Sequence, residues 1–302
     1  MSAPRRFRAR RGLTIIELLI SIVISAIVGL AMLRTIRGTL LFTEKSERGR
    51  EARSVARSSL ALVETDLQSV VATSTGSAAI EAATTTSATV RLPVTMGILC
   101  NASGSSATVS LLPTDSLALA EGNIAGTAYR GGTGDWTYVP GAVVPGSGLA
   151  SVCELAAVGV TTLPSGVGAS NTPAGRVITL STTIPMGTPA GTLVMLYRRV
   201  RYDFAESALR PGRTALWRRM LPDAGTTAVS SLEIAGPFSS AASFGFYVGT
   251  SRVPLSTVPS DLRSIRGLEL VLPGQSASSG RDGTAMAGAS VRSSVFFRNR
   301  TD

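Results

Sequence analysis

The sequence predicts an α+β fold in which one long N-terminal helix packs on an antiparallel β-sheet head with long loops. Residues 13–33 form an apolar run, and apolar residues keep a near-helical spacing between residues 55 and 71. After residue 190, apolar and polar residues alternate instead. Because helices repeat every 3.6 residues and strands every two, this change of period separates a helix from a sheet.

The apolar run of residues 13–33 has the length and composition of a membrane span. It contains one charged residue, Glu17, and its helix would rise roughly 30 Å, the thickness of a bilayer core. The leader before it, residues 1–12, has no acid and five arginines: Arg5, Arg6, Arg8, Arg10 and Arg11. Since basic flanks stay in the cytoplasm, we expect a single-pass inner-membrane protein with an extracytoplasmic head.

Two simpler interpretations of this segment are a secretory signal and a plain membrane anchor. A secretory signal has a shorter apolar core and a small-residue cleavage site after it, whereas Arg34 and Arg37 follow here. Neither interpretation explains a glutamate near the start of the apolar run.

The helix is expected to continue beyond the membrane as an amphipathic half, residues 34–75. No proline occurs between Leu13 and Leu92. An apolar stripe predicts the face that packs on the sheet: Val55, Ala56, Leu60, Val63, Leu67, Val70 and Val71. The cluster of Thr, Ser and Gly over Thr73–Gly76 predicts the end of the helix.

The remaining residues, 76–302, form the predicted β-rich head. Residues 77–190 are loop-rich, with Gly141–Gly148 and Pro164–Gly175 as clear loops, and the region has the composition of an insertion. Residues 191–302 have the stronger strand pattern and predict an antiparallel sheet. The strands expected over the whole head are Ala88–Leu92, Ala107–Leu112, Cys153–Val160, Arg176–Leu180, Val194–Phe204, Ala215–Leu221, Ser243–Val248, Ile265–Leu272 and Val291–Phe297.

The residues around the start of the apolar run resemble the type IV prepilin signature. Residues 11–20 read RGLTIIELLI: a basic leader ends in Gly12, an apolar residue follows, and Glu17 is the fifth residue after Gly12. The resemblance implies that a prepilin peptidase cleaves between Gly12 and Leu13 and methylates the new amino terminus of Leu13. It also implies a pilin-like fold. The family more often has Phe at the position of Leu13.

Placing the Glu17 carboxylate in the apolar run costs free energy, and the role of this residue should explain why it is there. A charged residue in the apolar region costs about 2.5–3.5 kcal/mol on insertion scales, so such a group is expected to find a partner. The resemblance implies that this partner is the Leu13 amine of a neighbouring subunit, which exists only after cleavage. Alternatively, the carboxyl group binds a proton and stays neutral.

The head carries a looser resemblance to minor pilins of the PilW type and to GspJ-type minor pseudopilins. It rests on the segments LYRRVRY (196–202), ALWRR (215–219), FGFY (244–247), IRGLEL (265–270) and VFFRNR (295–300). It implies a structural minor pilin of a type IV pilus, with other major and minor pilins as partners. A minor pseudopilin of a type II secretion system is the alternative, and a pilus-tip adhesin or DNA-binding minor pilin a further one.

The composition argues against an enzyme. The chain has no histidine, which removes the commonest general base and metal ligand, and a Ser-Lys pair would need Lys45, its only lysine. No spacing singles out a pair among the scattered acids Asp203, Glu206, Asp261 and Glu269. We therefore expect no catalytic residues, cofactor or metal, and a chain that is itself the substrate of a prepilin peptidase and N-methyltransferase.

Binding to nucleic acid is the less favoured interpretation of the basic composition. Of the formal charge of +10, the five leader arginines supply half, because 24 basic residues then remain against 19 acidic ones. Arginines cluster at Arg198, Arg199 and Arg201 and at Arg218 and Arg219. We expect a solvated strand face or ion pairs with Asp203, Glu206 and Glu269, since stacking aromatics are few.

The two cysteines lead to a first testable prediction. In an oxidising compartment, Cys100 and Cys153 should form one disulfide, which closes a loop of about 50 residues and stabilises the head by roughly 4 kcal/mol in the chain-entropy model. Thiol labelling of the denatured, unreduced chain should detect no free thiol, and labelling after reduction should detect two. The alternative is two free buried cysteines, and two labelled thiols without reduction would contradict the bridge and favour that alternative.

Overall fold

A computed structural model describes residues 14–71, 78–103, 106–111, 124–132, 134–141, 143–144, 176–181, 184–277 and 286–297. They form one long helix, α1 (Ile15–Ser69), and a large antiparallel sheet, which confirms the predicted α+β class. The strands are β1 Ile80–Ala83, β2 Ser87–Ser103, β3 Ser106–Leu111, β4 Gly126–Arg130, β5 Trp136–Pro140, β6 Val143–Val144, β7 Arg176–Ser181, β8 Leu193–Glu206, β9 Thr214–Leu221, β10 Ser230–Phe238, β11 Ser243–Val248, β12 Ile265–Gln275 and β13 Gly288–Phe296.

Helix α1 is 55 residues long, about 80 Å at 1.5 Å per residue. Thr14 caps its first turn, where its side-chain oxygen accepts a hydrogen bond from the Glu17 N–H at 3.3 Å. The helix ends at Ser69, earlier than the expected Thr73–Gly76. Val70 turns to extended backbone, and both it and Val71 are buried, so burial of these two β-branched side chains ends the helix before the polar cluster.

The C-terminal half of α1 lies on the sheet by a narrow stripe of mostly small residues. Its buried positions follow a spacing of three and four: Arg48, Ala52, Ala56, Ser59, Val63 and Leu67. The Ser59 hydroxyl donates to the Val55 and Ala56 carbonyls at 3.0 Å, so its burial leaves no unpaired polar group. The stripe packs against β2, β10, β12 and β13, and their apolar residues join it in one core that includes Phe244, Phe246 and Leu270.

Polar contacts fix how the helix sits on the sheet. Arg218 of β9 donates to the Asp66 carboxylate of α1 at 3.0 Å, and the Tyr202 hydroxyl of β8 donates to the same carboxylate. Burial, and secondarily the charge of Asp66, raise the pKa of Tyr202, so the phenol keeps its proton and remains a donor. One turn of the helix is thereby tied to two strands.

Strand β8 joins the two parts of the sheet, because it pairs with other strands on both of its edges. One edge pairs with β2 from Leu193↔Ile98 to Asp203↔Ser87. Its other edge is shared, since Val194–Tyr197 pair with β4 and Arg199–Glu206 pair with β9. The sheet therefore divides: β9 leads on to β10, β12, β11 and β13 under the helix, and β2 leads on to β3, β7 and β6 away from it.

The loop-rich half of the head contains more strand than its composition indicates. Four of its strands, β1, β4, β5 and β6, have no counterpart among the predicted segments, and Val143–Val144 lies inside the Gly141–Gly148 stretch expected as a loop. These strands have two to five residues each, too few for a clear alternation. β1 pairs with the neighbouring β2 and β4 with the neighbouring β5, whereas Val143 pairs with the distant Leu180. The expected strand Cys153–Val160 lies outside the described residues.

A close backbone approach between Gly274 of β12 and the helix generates a second prediction. A Cβ atom at Gly274 would overlap the carbonyl oxygen of Ala52, whereas one at Gly288, on the paired strand β13, would lie 3.8 Å from its nearest neighbour. Because the overlapped atom is backbone, Gly274→Ala should push the helix off the sheet and destabilise the head by about 1–3 kcal/mol.

Gly288→Ala is the matched control and should change stability by no more than about 0.5 kcal/mol. Urea unfolding of the full chain in detergent, followed by tryptophan fluorescence, measures both, because Trp136 and Trp217 lie in the head. Equal midpoints for Gly274→Ala and the parent would show that this approach does not limit helix docking.

Candidate functional site

The N-terminal half of α1 has an apolar surface that the head does not cover. Large side chains from Ile15 to Phe42 are exposed, with Ile15 at 82% and Phe42 at 74%. None of the most apolar stretch of 18 residues in this half is buried. By length and composition this segment can cross a membrane, which would remove its apolar surface from water.

Four hydroxyl groups along this half are already paired within the helix. Ser21 donates to the Glu17 carbonyl at 2.7 Å, and Thr35, Thr39 and Thr43 each donate to the carbonyl four residues earlier at 2.8–3.0 Å. A lipid environment supplies no hydrogen bonds, so this internal pairing lowers the cost of burying these residues in it.

Glu17 differs from those hydroxyl residues. It lies exposed in the first turn of α1, and its carboxylate makes no hydrogen bond or ion pair with any residue that the structure describes. The nearest cation along the described helix is Arg34, 17 residues away, or about 25 Å. The helix therefore presents a carboxylate in an apolar surface and offers it no partner, which makes an intermolecular partner the simplest resolution.

The other predicted processing residues, Gly12 and Leu13, lie outside the described residues. Their position relative to α1 follows from the sequence alone, because Thr14 begins the helix cap directly after Leu13. Cleavage between them remains a prediction.

The arginines considered for nucleic-acid binding are largely engaged with carboxylates. Arg199 is buried and binds Glu81 through two nitrogens, at 2.5 and 2.6 Å. Arg201 and Arg219 both reach Asp203, at 3.4 and 2.8 Å. Arg218 binds Asp66, so at least four of the five cations lie in ion pairs, and Arg198 is half-buried and also has a partner. Phosphate binding would have to compete with these pairs, which weighs against that role.

Sequence reasoning identified Asp203 as a partner for these arginines but missed Asp66 and Glu81. Asp66 lies beside the apolar stripe, three residues after Val63, and this position was a usable signal that it faces the sheet. Glu81 belongs to β1, a strand too short for its alternation to be recognised. Of the other predicted acids, Glu206 accepts from the Gly212 N–H at 2.8 Å, and Glu269 lies on β12 opposite Gly245 and Ser294.

The described residues bring together no metal-binding cluster. Among them, no group of three or more His, Cys, Asp or Glu side chains could hold a metal ion. Asp261 caps a short 3-10 helix, Leu262–Ser264, and pairs with Arg263 at 3.0 Å, while Lys45 is exposed on α1. Cys100 on β2 is not a free thiol, and Cys153 lies outside the described residues, so their pairing stays a prediction.

Comparison with known proteins assigns the N-terminal segment. Residues 7–33 match the family model described as the prokaryotic N-terminal methylation motif, which spans Gly12, Leu13 and Glu17. No curated protein and no solved structure matches the chain. Proteins with this motif are substrates of a prepilin peptidase, anchored by one helix, and assemble with other pilins in the membrane. Together with the exposed apolar half of α1, the match supports a type IV prepilin-like protein.

Proposed function

We propose that this chain is a structural minor pilin, incorporated into a type IV pilus or priming its assembly after a prepilin peptidase has removed residues 1–12. The observation that carries the proposal is the unpartnered carboxylate of Glu17 on the apolar half of α1. Cleavage after Gly12 creates an amine at Leu13, and the Leu13 amine of the adjacent subunit supplies the missing positive charge.

The head supports a minor rather than an abundant subunit. Its looser resemblance to PilW-type proteins covers residues 190–300, and its additional strands β3 to β7 enlarge it beyond the sheet under the helix. A minor pseudopilin of a type II secretion system is the alternative function, because GspJ-type proteins share the same strand pattern. Neighbouring genes for other minor pilins, or for secretion-channel components, discriminate the two.

A role in adhesion or DNA binding is a third candidate with less support. It would fall to residues 77–190, since Arg199, Arg201, Arg218 and Arg219 are paired with carboxylates. Salt-sensitive binding of DNA by the intact protein would favour this role, because phosphate contacts weaken as salt rises.

Processing is the first property to test. Coexpression with a prepilin peptidase should yield a mature chain that begins at Leu13 and carries a methylated amino terminus, measured by mass spectrometry. A Gly12→Asp variant, which alters the residue before the cut, should keep its leader and serves as the control. An intact leader on the parent chain under these conditions would refute the prepilin interpretation.

The docking role of Glu17 is the second property to test. Removing one member of a poorly solvated charge pair commonly costs about 3–5 kcal/mol, so Glu17→Leu should lower recovery in sheared filaments, or the number of filaments if the protein primes assembly. Membrane insertion and cleavage after Gly12 should persist, because neither needs the pair.

Ser21→Ala provides a matched control on the same apolar half. Its hydroxyl is satisfied by the Glu17 carbonyl within one helix, so removing it leaves no intermolecular charge unpaired. Filament recovery should then equal that of the parent. If Glu17→Leu is processed and also assembles as well as the parent, the pairing role is wrong.

A further inference from the structure

Between the apolar run and the docked half, α1 has a neck that the head leaves largely uncovered. The neck comprises residues 34–47, because the first buried residue of the helix is Arg48. At 1.5 Å per residue it rises about 20 Å. Two exposed arginines, Arg34 and Arg37, lie at its base, directly after the segment that can cross a membrane. The neck therefore begins at the surface of that membrane.

The two arginines have no partner within the part of the chain that the structure describes. Neither makes a hydrogen bond or an ion pair there. No acid occurs between Glu17 and Glu44, and Glu44 lies seven residues, about 10 Å, above Arg37. Each guanidinium group therefore offers its N–H donors and its positive charge to whatever lies outside the protein.

The arginines lie at the depth where lipid phosphate groups are found. From Ile15 the helix rises about 28 Å to Arg34 and about 33 Å to Arg37, whereas the hydrocarbon core of a bilayer is about 30 Å thick. A cation at this boundary avoids the cost of entering the core, and it meets the layer of phosphate groups. Charge and depth therefore both match a phospholipid headgroup.

Both arginines project on the side of the helix that carries the sheet. Arg34 lies 18 residues before Ala52, which is five full turns, and Arg37 lies about 60° from Arg34 around the axis. Lys45 lies seven residues before Ala52, close to two turns, and is also exposed on this side. The sheet lies above these cations and the membrane surface below them. An anion that they bind in a membrane is therefore a headgroup beneath the head.

The apolar residues of the neck identify this anion as part of a lipid. Leu40, Leu41 and Phe42 are 64%, 44% and 74% exposed, about one to two turns above the arginines. Helical side chains lean toward the N-terminus, so these three lean toward the membrane. A headgroup layer accepts apolar side chains as well as cations, whereas a dissolved phosphate ion would leave the apolar group in water.

We propose that Arg34 and Arg37 bind the phosphate groups of anionic phospholipids in the leaflet nearer the head, with Leu40, Leu41 and Phe42 in the same headgroup layer. The contact extends the membrane-bound part of α1 by two to three turns beyond the apolar run. It fixes the depth of the helix in the bilayer before any assembly. The inference requires the membrane span and does not depend on a filament function.

Lipid retention by the full-length chain tests the contact. The parent and an Arg34→Gln, Arg37→Gln double variant are reconstituted in nanodiscs of equal parts phosphatidylcholine and phosphatidylglycerol. Native mass spectrometry then counts the lipids that stay bound after release. The double variant should retain several-fold less phosphatidylglycerol, because each arginine near an anionic surface adds to binding. Both versions should insert, since the leader arginines are unchanged.

Arg50→Gln with Arg53→Gln is the matched control. It removes the same charge from the same helix, but each cation lies 16 residues, about 24 Å, farther from the membrane. This version should retain as much phosphatidylglycerol as the parent. Equal retention by all three versions would overturn the proposal. An equal loss in both double variants would also overturn it, because net charge alone would then set the retention.

A fluorescent probe on the neck distinguishes a lipid from a dissolved anion and from a second copy of the chain. Thr43→Cys carries a polarity-sensitive dye beside Phe42, and labelling of the parent sets the background. In vesicles, its emission should shift to the blue when phosphatidylglycerol replaces half of the phosphatidylcholine. The shift should disappear when Arg34→Gln and Arg37→Gln are added. The same shift on adding inorganic phosphate to phosphatidylcholine vesicles, or a shift that requires a high ratio of protein to lipid, would contradict the lipid partner.

These results are independent of those for the proposed function, because the vesicles contain no peptidase and no other pilin. A chain that retains phosphatidylglycerol through Arg34 and Arg37 but is never cleaved keeps this inference and loses the function. A chain that is cleaved and recovered in filaments, but whose lipid retention ignores both arginines, keeps the function and loses this inference.

Discussion

The close contact between the small-residue stripe of α1 and the sheet is the constraint on which the rest of this structure depends. Ala52 and Ala56 allow the helix backbone to approach the strands. Gly274 leaves room for the Ala52 carbonyl oxygen, which any side chain at this position would overlap. Dispersion and apolar burial act only at such short range. A larger residue on either side would separate the layers and expose the core below them.

The polar contacts determine where on the sheet the helix packs. Apolar stripes permit a helix to slide or rotate by small amounts at little cost, whereas Asp66 can meet Tyr202 and Arg218 in one placement only. Glu51 adds a second point, where its carboxylate accepts from the Ala277 N–H at 3.2 Å. The two contacts lie 15 residues apart along the helix, so together they fix both its rotation and its axial position. A rigid link between head and helix follows, and the helix in turn continues without a break into the apolar half.

Much of this architecture can be predicted from the sequence, and the reasons differ between its parts. The helix and its buried face follow from apolar spacing, and Ala56, Val63 and Leu67 are buried as predicted. Strands β8, β9, β11, β12 and β13 show alternation strong enough to identify. The strands β4, β5 and β6 do not, because each has five residues or fewer, too few for a clear alternation. Glu17 was identified because a lone charge in an apolar run is conspicuous, whereas the roles of Asp66 and Glu81 required knowing which strands they face.

The long strands β2 and β8 have a mechanical consequence. Their residues near Val90 and Val200 belong to the core under the helix, and those near Leu99 and Val194 belong to a separate apolar cluster in the other half of the head. A pulling force between these halves runs along the backbones of both strands, which continue from one half into the other. It therefore does not open their shared ladder bond by bond, and tension on the far half would reach the strands under the helix without first separating β2 from β8.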